Sequence, residues 1–226
     1  MKKLLIATTN PGKLREYKDF LGDLPVQLVS LSDIGIIDDI EETGKTYKEN
    51  SQKKALFYAK KSGHPAISDD GGIEILALNN EPGIKSRRWL GYEASDKDLI
   101  KHMIKVSKEL PDNNRNAAFK LIVSLALPNG KVWSREGIVE GIIAKKPHLK
   151  LVHGYPYRSF FYLPKVKKYY HESELTKEEM KKYNHRYIAV EKLKPIIQNV
   201  ILSEAKESHG IATSSSAPRN DKDKVC

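Results

Sequence analysis

The 226-residue sequence predicts an α/β fold built on a mixed sheet. Three observations lead there. Short apolar runs at the N-terminal end are followed by helical spacings, as at residues 4–8 and then 11–21. Two longer apolar runs, 119–127 and 132–143, flank Pro128-Asn129-Gly130 in the manner of a hairpin. Strands and helices otherwise interleave without strict alternation, which calls for parallel and antiparallel neighbours in one sheet.

Taken in order, residues 4–8 form a first strand, and Pro11 opens a helix whose apolar face is Leu14, Tyr17, Phe20 and Leu21. Residues 26–31 read as a second strand, followed by a loop carrying Asp38, Asp39, Glu41 and Glu42. Thr46 and Glu49 have capping-box spacing and open a helix through Ala55, Leu56 and Ala59 that Gly63 stops. Residues 65–68 and 74–78 are expected as two short strands, with Asn79-Asn80 as a turn. A helix starting at 95–98 shows Leu99, Ile100, Met103 and Ile104 on one side and ends before Pro111. After the hairpin, Thr176 and Glu179 cap a late helix, and residues 185–197 continue helically with a bend expected at Pro195. The apolar periodicity stops near Ser203. Residues 1–202 are therefore expected as one domain and 203–226 as a disordered tail.

Two sites carry chemistry. In Ser68-Asp69-Asp70-Gly71-Gly72 two carboxylates end an apolar run where a strand should stop, and two glycines follow. Carboxylates are hard oxygen ligands for Mg²⁺, and glycine lets backbone approach an ion or phosphate; a plain turn would also favour Asp and Gly. Thr8-Thr9-Asn10-Pro11-Gly12-Lys13 leads from the first strand into a helix. Free N–H groups at such a helix start favour an anion, and Lys13 adds a point charge. The spacing is not that of a Walker loop, which disfavours a P-loop kinase or ATPase.

Composition narrows the function classes. The single cysteine, Cys226, leaves no internal disulfide framework or cysteine zinc site, which suits a reducing cytosol. The apolar run after Met1-Lys2-Lys3 is too short for a signal peptide, and no stretch is long enough to span a bilayer, so a cytoplasmic protein without membrane contact is expected. The net charge of +10 is spread over separated lysine pairs rather than one basic arm. That pattern suits a polyphosphate ligand and predicts no specific nucleic-acid binding.

These two motifs, with Glu41-Glu42-Thr43-Gly44-Lys45-Thr46-Tyr47-Lys48-Glu49-Asn50 and Pro82-Gly83-Ile84-Lys85-Ser86-Arg87-Arg88, occur in an order that resembles the inosine/xanthosine triphosphate pyrophosphatases. Those enzymes cleave non-standard purine nucleoside triphosphates to monophosphate and pyrophosphate. The resemblance runs from Lys2 to Ile197 and implies a long twisted mixed sheet, two lobes with a nucleotide cleft between them, and a homodimer. It implies Mg²⁺ on Asp70 with Glu41 or Glu42, and Asp70 as the base that activates or orients water, with Asp69 sharing that work. Thr8, Thr9, Asn10, Pro11, Gly12, Lys13, Gly71 and Lys53 fall to the phosphates by the same resemblance. His153, Gly154, Tyr155, His185 and Arg186 fall to the base, the last two reading the 6-oxo group.

The chain departs from the family at several of these places. His153-Gly154-Tyr155-Pro156-Tyr157-Arg158 lacks the aspartate that usually follows Gly-Tyr. Met180 stands where the family has a lysine, Asn184 where it has a serine before His-Arg, and Gly71 where it has a serine after the acids. Lys181, Lys182 and Arg158 are candidates to replace the lysine. A related pyrophosphatase with altered base preference and a non-catalytic nucleotide- or RNA-binding protein remain as alternatives.

Overall fold

One eight-stranded sheet organises the chain in the computed structural model, which describes residues 2–152 and 154–210, with 201–210 described by backbone alone. The strands are β1 (Lys3–Ile6), β2 (Gln27–Ser30), β3 (Ala66–Ile75), β4 (Glu81–Pro82), β5 (Asn116–Ala126), β6 (Val132–Ile143), β7 (Phe161–Leu163) and β8 (Lys168–Tyr169). Their order is β2-β1-β3-β5-β6-β7-β8, with β4 against β3. β1 pairs parallel with β2 and β3, and the remaining pairs are antiparallel, so the sheet is mixed as the sequence predicts.

Helix boundaries follow the capping chemistry. In α1 (Pro11–Leu21) Asn10 caps and Pro11 sits in the first turn. α2 (Tyr47–Ser62) starts where the Thr46 side chain accepts from the Glu49 N–H and stops at Gly63, whose φ of 69° is open to glycine at no steric cost. The Glu49 carboxylate takes the Lys45 N–H, so the reciprocal half of the box is shifted by one residue. α3 (Asp96–Glu109) is capped by Ser95, and the box at Thr176 and Glu179 is complete in α4 (Lys177–Lys182). α5 (His185–Gly210) carries Pro195 inside it. Its backbone stays helical over 203–210, where a disordered tail was expected, because Glu204, Ala205, Lys206 and Glu207 are good helix formers and adding turns to an existing helix costs little. The rest of that expected tail, 211–226, lies outside the described residues.

The largest difference from the sequence reading is β3. Residues 65–68 and 74–78 were expected as two strands broken by the acid pair and glycines, yet one strand runs from Ala66 to Ile75 through them. Continuous pairing with β5, from Ala66↔Ala126 to Ile75↔Ala117, outweighs the local turn preference. The glycines serve packing rather than a turn: a Cβ on Gly71 would lie 2.3 Å from that of Leu121, and one on Gly72 2.2 Å from the Gly83 carbonyl. This crowding also accounts for glycine at position 71.

Three apolar clusters place the acids. On one face, Ile67, Leu121 and Val123 pack against Tyr17 and Phe20 of α1 and Ala189 and Leu193 of α5. On the other, Leu5 and Ala66 meet Ala55, Tyr58 and Ala59 of α2. Further along the sheet, Ile73, Ile75 and Phe119 pack with Leu99 and Met103 of α3 and with Phe160 and Phe161. Asp69 and Asp70 thus fall between Ile67 and Ile73, at the seam of two cores.

α5 lies directly on β6 at Gly137, where a Cβ would stand 1.8 Å from the His185 carbonyl oxygen. Gly137→Ala therefore forces the start of α5 off the sheet. A loss of about 1–3 kcal/mol is expected from this overpacking, measured as a lowered denaturant midpoint at unchanged slope.

Candidate active site

The parallel register Leu5↔Ala66 and Ile6↔Ile67 ends β1 beside the acid pair, and the Ala7 N–H donates to the Ile67 carbonyl at 2.8 Å. The loop from Thr8 to Lys13 and the acids consequently meet in one cleft of about 1310 Å³. That is room for a nucleotide-sized ligand. Asn10 Oδ1 accepts the Gly12 and Lys13 N–H groups at 2.8 and 3.1 Å, and Thr8 Oγ1 accepts the Asn10 N–H at 3.2 Å. Two helix-start donors expected to be free for an anion are thus occupied by Asn10 itself. What the loop offers the cleft is side chains, Thr8, Thr9 and Lys13, with Asn10 and Pro11 shaping it. Gly12 contributes closeness: a Cβ there would lie 2.7 Å from the Tyr155 ring.

Successive side chains on a strand leave opposite faces, and the two aspartates have opposite surroundings. Asp69 turns to α1 and α5, accepting from Lys13 Nζ at 3.0 Å and from Arg186 Nε at 2.8 Å. Burial alone would raise its pKa, but Arg186 and Lys13 outweigh that and hold the carboxyl well below the usual range. Such a group is a poor base. Its geometry is that of a buried counterion joining Lys13 to Arg186.

Asp70 turns to α2. Its Oδ2 accepts from Asn50 Nδ2 at 2.9 Å and its Oδ1 from the Gly71 N–H at 2.9 Å. Burial raises its pKa, Lys54 opposes this, Glu42 reinforces it, and the net shift is upward. A buried carboxylate with raised proton affinity beside cationic groups is what water activation asks for.

Around Asp70 the structure corrects one expected residue. Lys53 Nζ donates to the Glu41 carbonyl and Thr43 Oγ1, both at 2.8 Å, and does not border the cleft. Lys54 does: it is ion-paired to Glu42, and Asp70 and Asp69 add to the attraction that raises its pKa against burial. The reason is helical phase, since Asn50 and Lys54 are four residues apart and share a face. Glu42 rather than Glu41 has its carboxylate engaged here; the Glu41 side chain is exposed. Among the described residues no group of three or more His, Cys, Asp or Glu side chains could hold a metal ion. Mg²⁺ commonly takes one or two protein carboxylates and completes its shell with water and substrate phosphate, and the hard oxygens of Asp70 and Glu42 fit that mode.

Beyond Asp69, the Arg186 guanidinium is held by Glu16, a residue sequence reasoning missed. Its carboxylate pairs with Arg186 Nη1, accepts from Arg158 Nη2 at 2.7 Å and from Asn184 Nδ2 at 3.0 Å. Its spacing of three from Lys13 on α1 is the only hint in the sequence, because its partners are 142 to 170 residues away. Asn184 also caps α5, its Oδ1 accepting the Arg186 and Tyr187 N–H groups at 2.9 and 3.1 Å, so this departure from serine keeps the cap. His185 stacks on Phe119 with ring centroids 5.1 Å apart, and burial, then Arg186 and Arg158, push its pKa well down, leaving a neutral imidazole.

Met180 packs on the apolar cluster of α3. The ammonium groups of Lys181 and Lys182 lie over the Tyr187 and Tyr183 rings, away from the cleft lining. Of the three candidate replacements only Arg158 borders the cleft. Gly154, with φ 82°, donates its N–H to Asp96 at 2.7 Å and sets Tyr155 against the cleft wall. His153 lies outside the described residues.

The Glu16 cluster gives a pH expectation. Burial would raise the Glu16 pKa, but Arg158 and Arg186 outweigh it and hold it far below its ordinary value of 4.5. The stability it contributes is complete above that value and is lost as pH falls through the folded-state pKa. Melting temperature followed against pH should fall on acidification in the wild type and fall less steeply in Glu16→Gln.

The matching family model is the Ham1 family, over residues 4–196. The chain belongs to the Ham1 family. It is 38% identical over 193 residues to the dITP/XTP pyrophosphatase of Halalkalibacterium halodurans, covering 85% of this chain and 97% of that protein. With the dITP/XTP pyrophosphatase of Bacillus subtilis it is 34% identical over 198 residues, covering 88% and 98%. The HAM1 protein of Coxiella burnetii superposes with a TM-score of 0.75 at 33% identity, over 88% of this chain and 100% of that one. The Ham1 protein of Staphylococcus aureus gives 0.73 at 31%, over 88% and 99%. The Ham1 assignment accords with the mixed sheet and with the cleft between its two cores. No helix among the described residues is long and apolar enough to cross a membrane.

Proposed function

We propose that this Ham1-family enzyme is a nucleoside triphosphate pyrophosphatase that hydrolyses dITP, ITP and XTP to the monophosphate and pyrophosphate. The observation that carries the reading is the meeting of Asp70 and the Lys13 loop in one cleft. The dITP/XTP pyrophosphatases to which it is similar supply the substrate class.

Phosphoryl chemistry asks for position and charge neutralisation more than for covalent help. Lys13 and Lys54, with the hydroxyls of Thr8 and Thr9, would grip the polyphosphate from two sides. Mg²⁺, held by Asp70 and Glu42, would supply further charge neutralisation on the phosphate oxygens. Asp70 accepts a proton from water as its oxygen bonds to a phosphorus of the α–β link; the bridging P–O bond breaks and its oxygen leaves with the other fragment. Asn50 and the Gly71 N–H fix the carboxylate for that transfer. Neutral His185 and the held guanidinium of Arg186 present donors, which suit the 6-oxo group of hypoxanthine or xanthine and not the 6-amino group of adenine.

Incubation of the purified chain with ITP, XTP and ATP, with and without Mg²⁺, tests this by product identification. Monophosphate and pyrophosphate from ITP and XTP are expected. Orthophosphate as the product, or turnover indifferent to Mg²⁺, would contradict the proposal. Equal turnover of ATP would favour the reading with altered base preference.

A further inference from the structure

Resting on the pyrophosphatase reading, we infer that Arg158 is a specificity-determining residue that donates to a carbonyl oxygen of the purine base. Its side chain is 5% exposed yet borders the cleft. A guanidinium carries five N–H donors, and among the described residues its acceptor is Glu16 alone. The Nε–H is buried without a partner among the described residues. Buried donors left over after internal pairing are costly, and a bound acceptor relieves that cost.

The surroundings select the kind of acceptor. The guanidinium lies 3.7 Å from the Tyr155 ring centroid and 4.7 Å from that of Tyr170, which fixes its plane between aromatic walls. His185, stacked on Phe119, belongs to the same end. Arg158 is itself paired with Glu16, so a neutral carbonyl meets its remaining donors without leaving a charge unmatched. Arg158 stands in the Gly-Tyr segment that departs from the family pattern, and Met180, at the family's lysine position, packs on the α3 cluster. This chain therefore places a base-reading cation on a different element from the one the family pattern suggests.

The test compares ITP with purine riboside triphosphate, the same nucleotide lacking the 6-oxo group, in wild type, Arg158→Gln, Arg158→Lys and the pair-deleted Glu16→Gln/Arg158→Gln. A donor lost from a charge-assisted hydrogen bond lowers kcat/KM for ITP by about 10–100-fold. Purine riboside triphosphate should lose much less, so the preference for ITP collapses, and Arg158→Lys should restore part of it. If Arg158→Gln fails to fold, the double variant, which removes both charges, carries the comparison. An equal loss on both nucleotides in every folded variant would reduce Arg158 to a structural strut and overturn the inference. Failure of the wild type to cleave any of these nucleotides would overturn the pyrophosphatase reading as well, so the two failures are distinguishable.

Discussion

Asp70→Asn is expected to lose about 10²–10⁴-fold in turnover of ITP while the fold persists. Asparagine keeps an oxygen to accept from Asn50 or the Gly71 N–H but cannot take a proton from water. The stability side has a definite sign. Because the folded environment raises the Asp70 pKa, the ionised carboxylate is disfavoured there, and a neutral side chain should unfold at the same temperature as wild type or higher. Single-turnover kinetics beside a thermal melt would separate the two effects. An Asp70→Asn enzyme with wild-type turnover would remove the base from the scheme.

Its neighbour should behave in the opposite way. Asp69 is 2% exposed and bonded to both Lys13 and Arg186, the latter itself 2% exposed. Removing its charge by Asp69→Asn leaves a buried guanidinium short of a counterion, a change that typically costs about 3–5 kcal/mol. Denaturant unfolding should show a midpoint lowered by that loss divided by the slope of the transition. Turnover should fall too, through displacement of Lys13 and Arg186 rather than loss of a proton acceptor. A melt unchanged by Asp69→Asn would show that the three groups are not coupled as described. Two adjacent aspartates would thus be told apart by which quantity each one changes.

Much of this could be read beforehand, for identifiable reasons. α1 runs from Pro11 to Leu21 as expected because its cap, its proline and its apolar spacing all agree. The β5–β6 hairpin was legible from the apolar runs flanking Pro128-Asn129-Gly130. The meeting of the first strand's exit with the acids was also legible, since a familiar order of motifs placed them. β3 was misread because Asp-Asp-Gly-Gly carries turn chemistry, and only the long-range pairing with β5 shows that a strand passes through it. Lys53 was chosen over Lys54 because a helix was located without fixing which face meets the sheet. Glu16 was silent because a surface acid and a buried hub look alike until distant partners arrive.

The course of β3 through the acid pair has a mechanical consequence. Asp69 and Asp70 are spliced into a girder, in register with Val123 and Ile122 of the neighbouring strand. Neither can swing toward a ligand without unzipping strands. Accommodation of nucleotides of different size or charge must therefore come from the rim: the 38–45 loop latched by Lys53 and Arg88, and the Gly154–Tyr155 turn tied to Asp96. Amide hydrogen exchange should be slow at Asp70 and fastest along that rim.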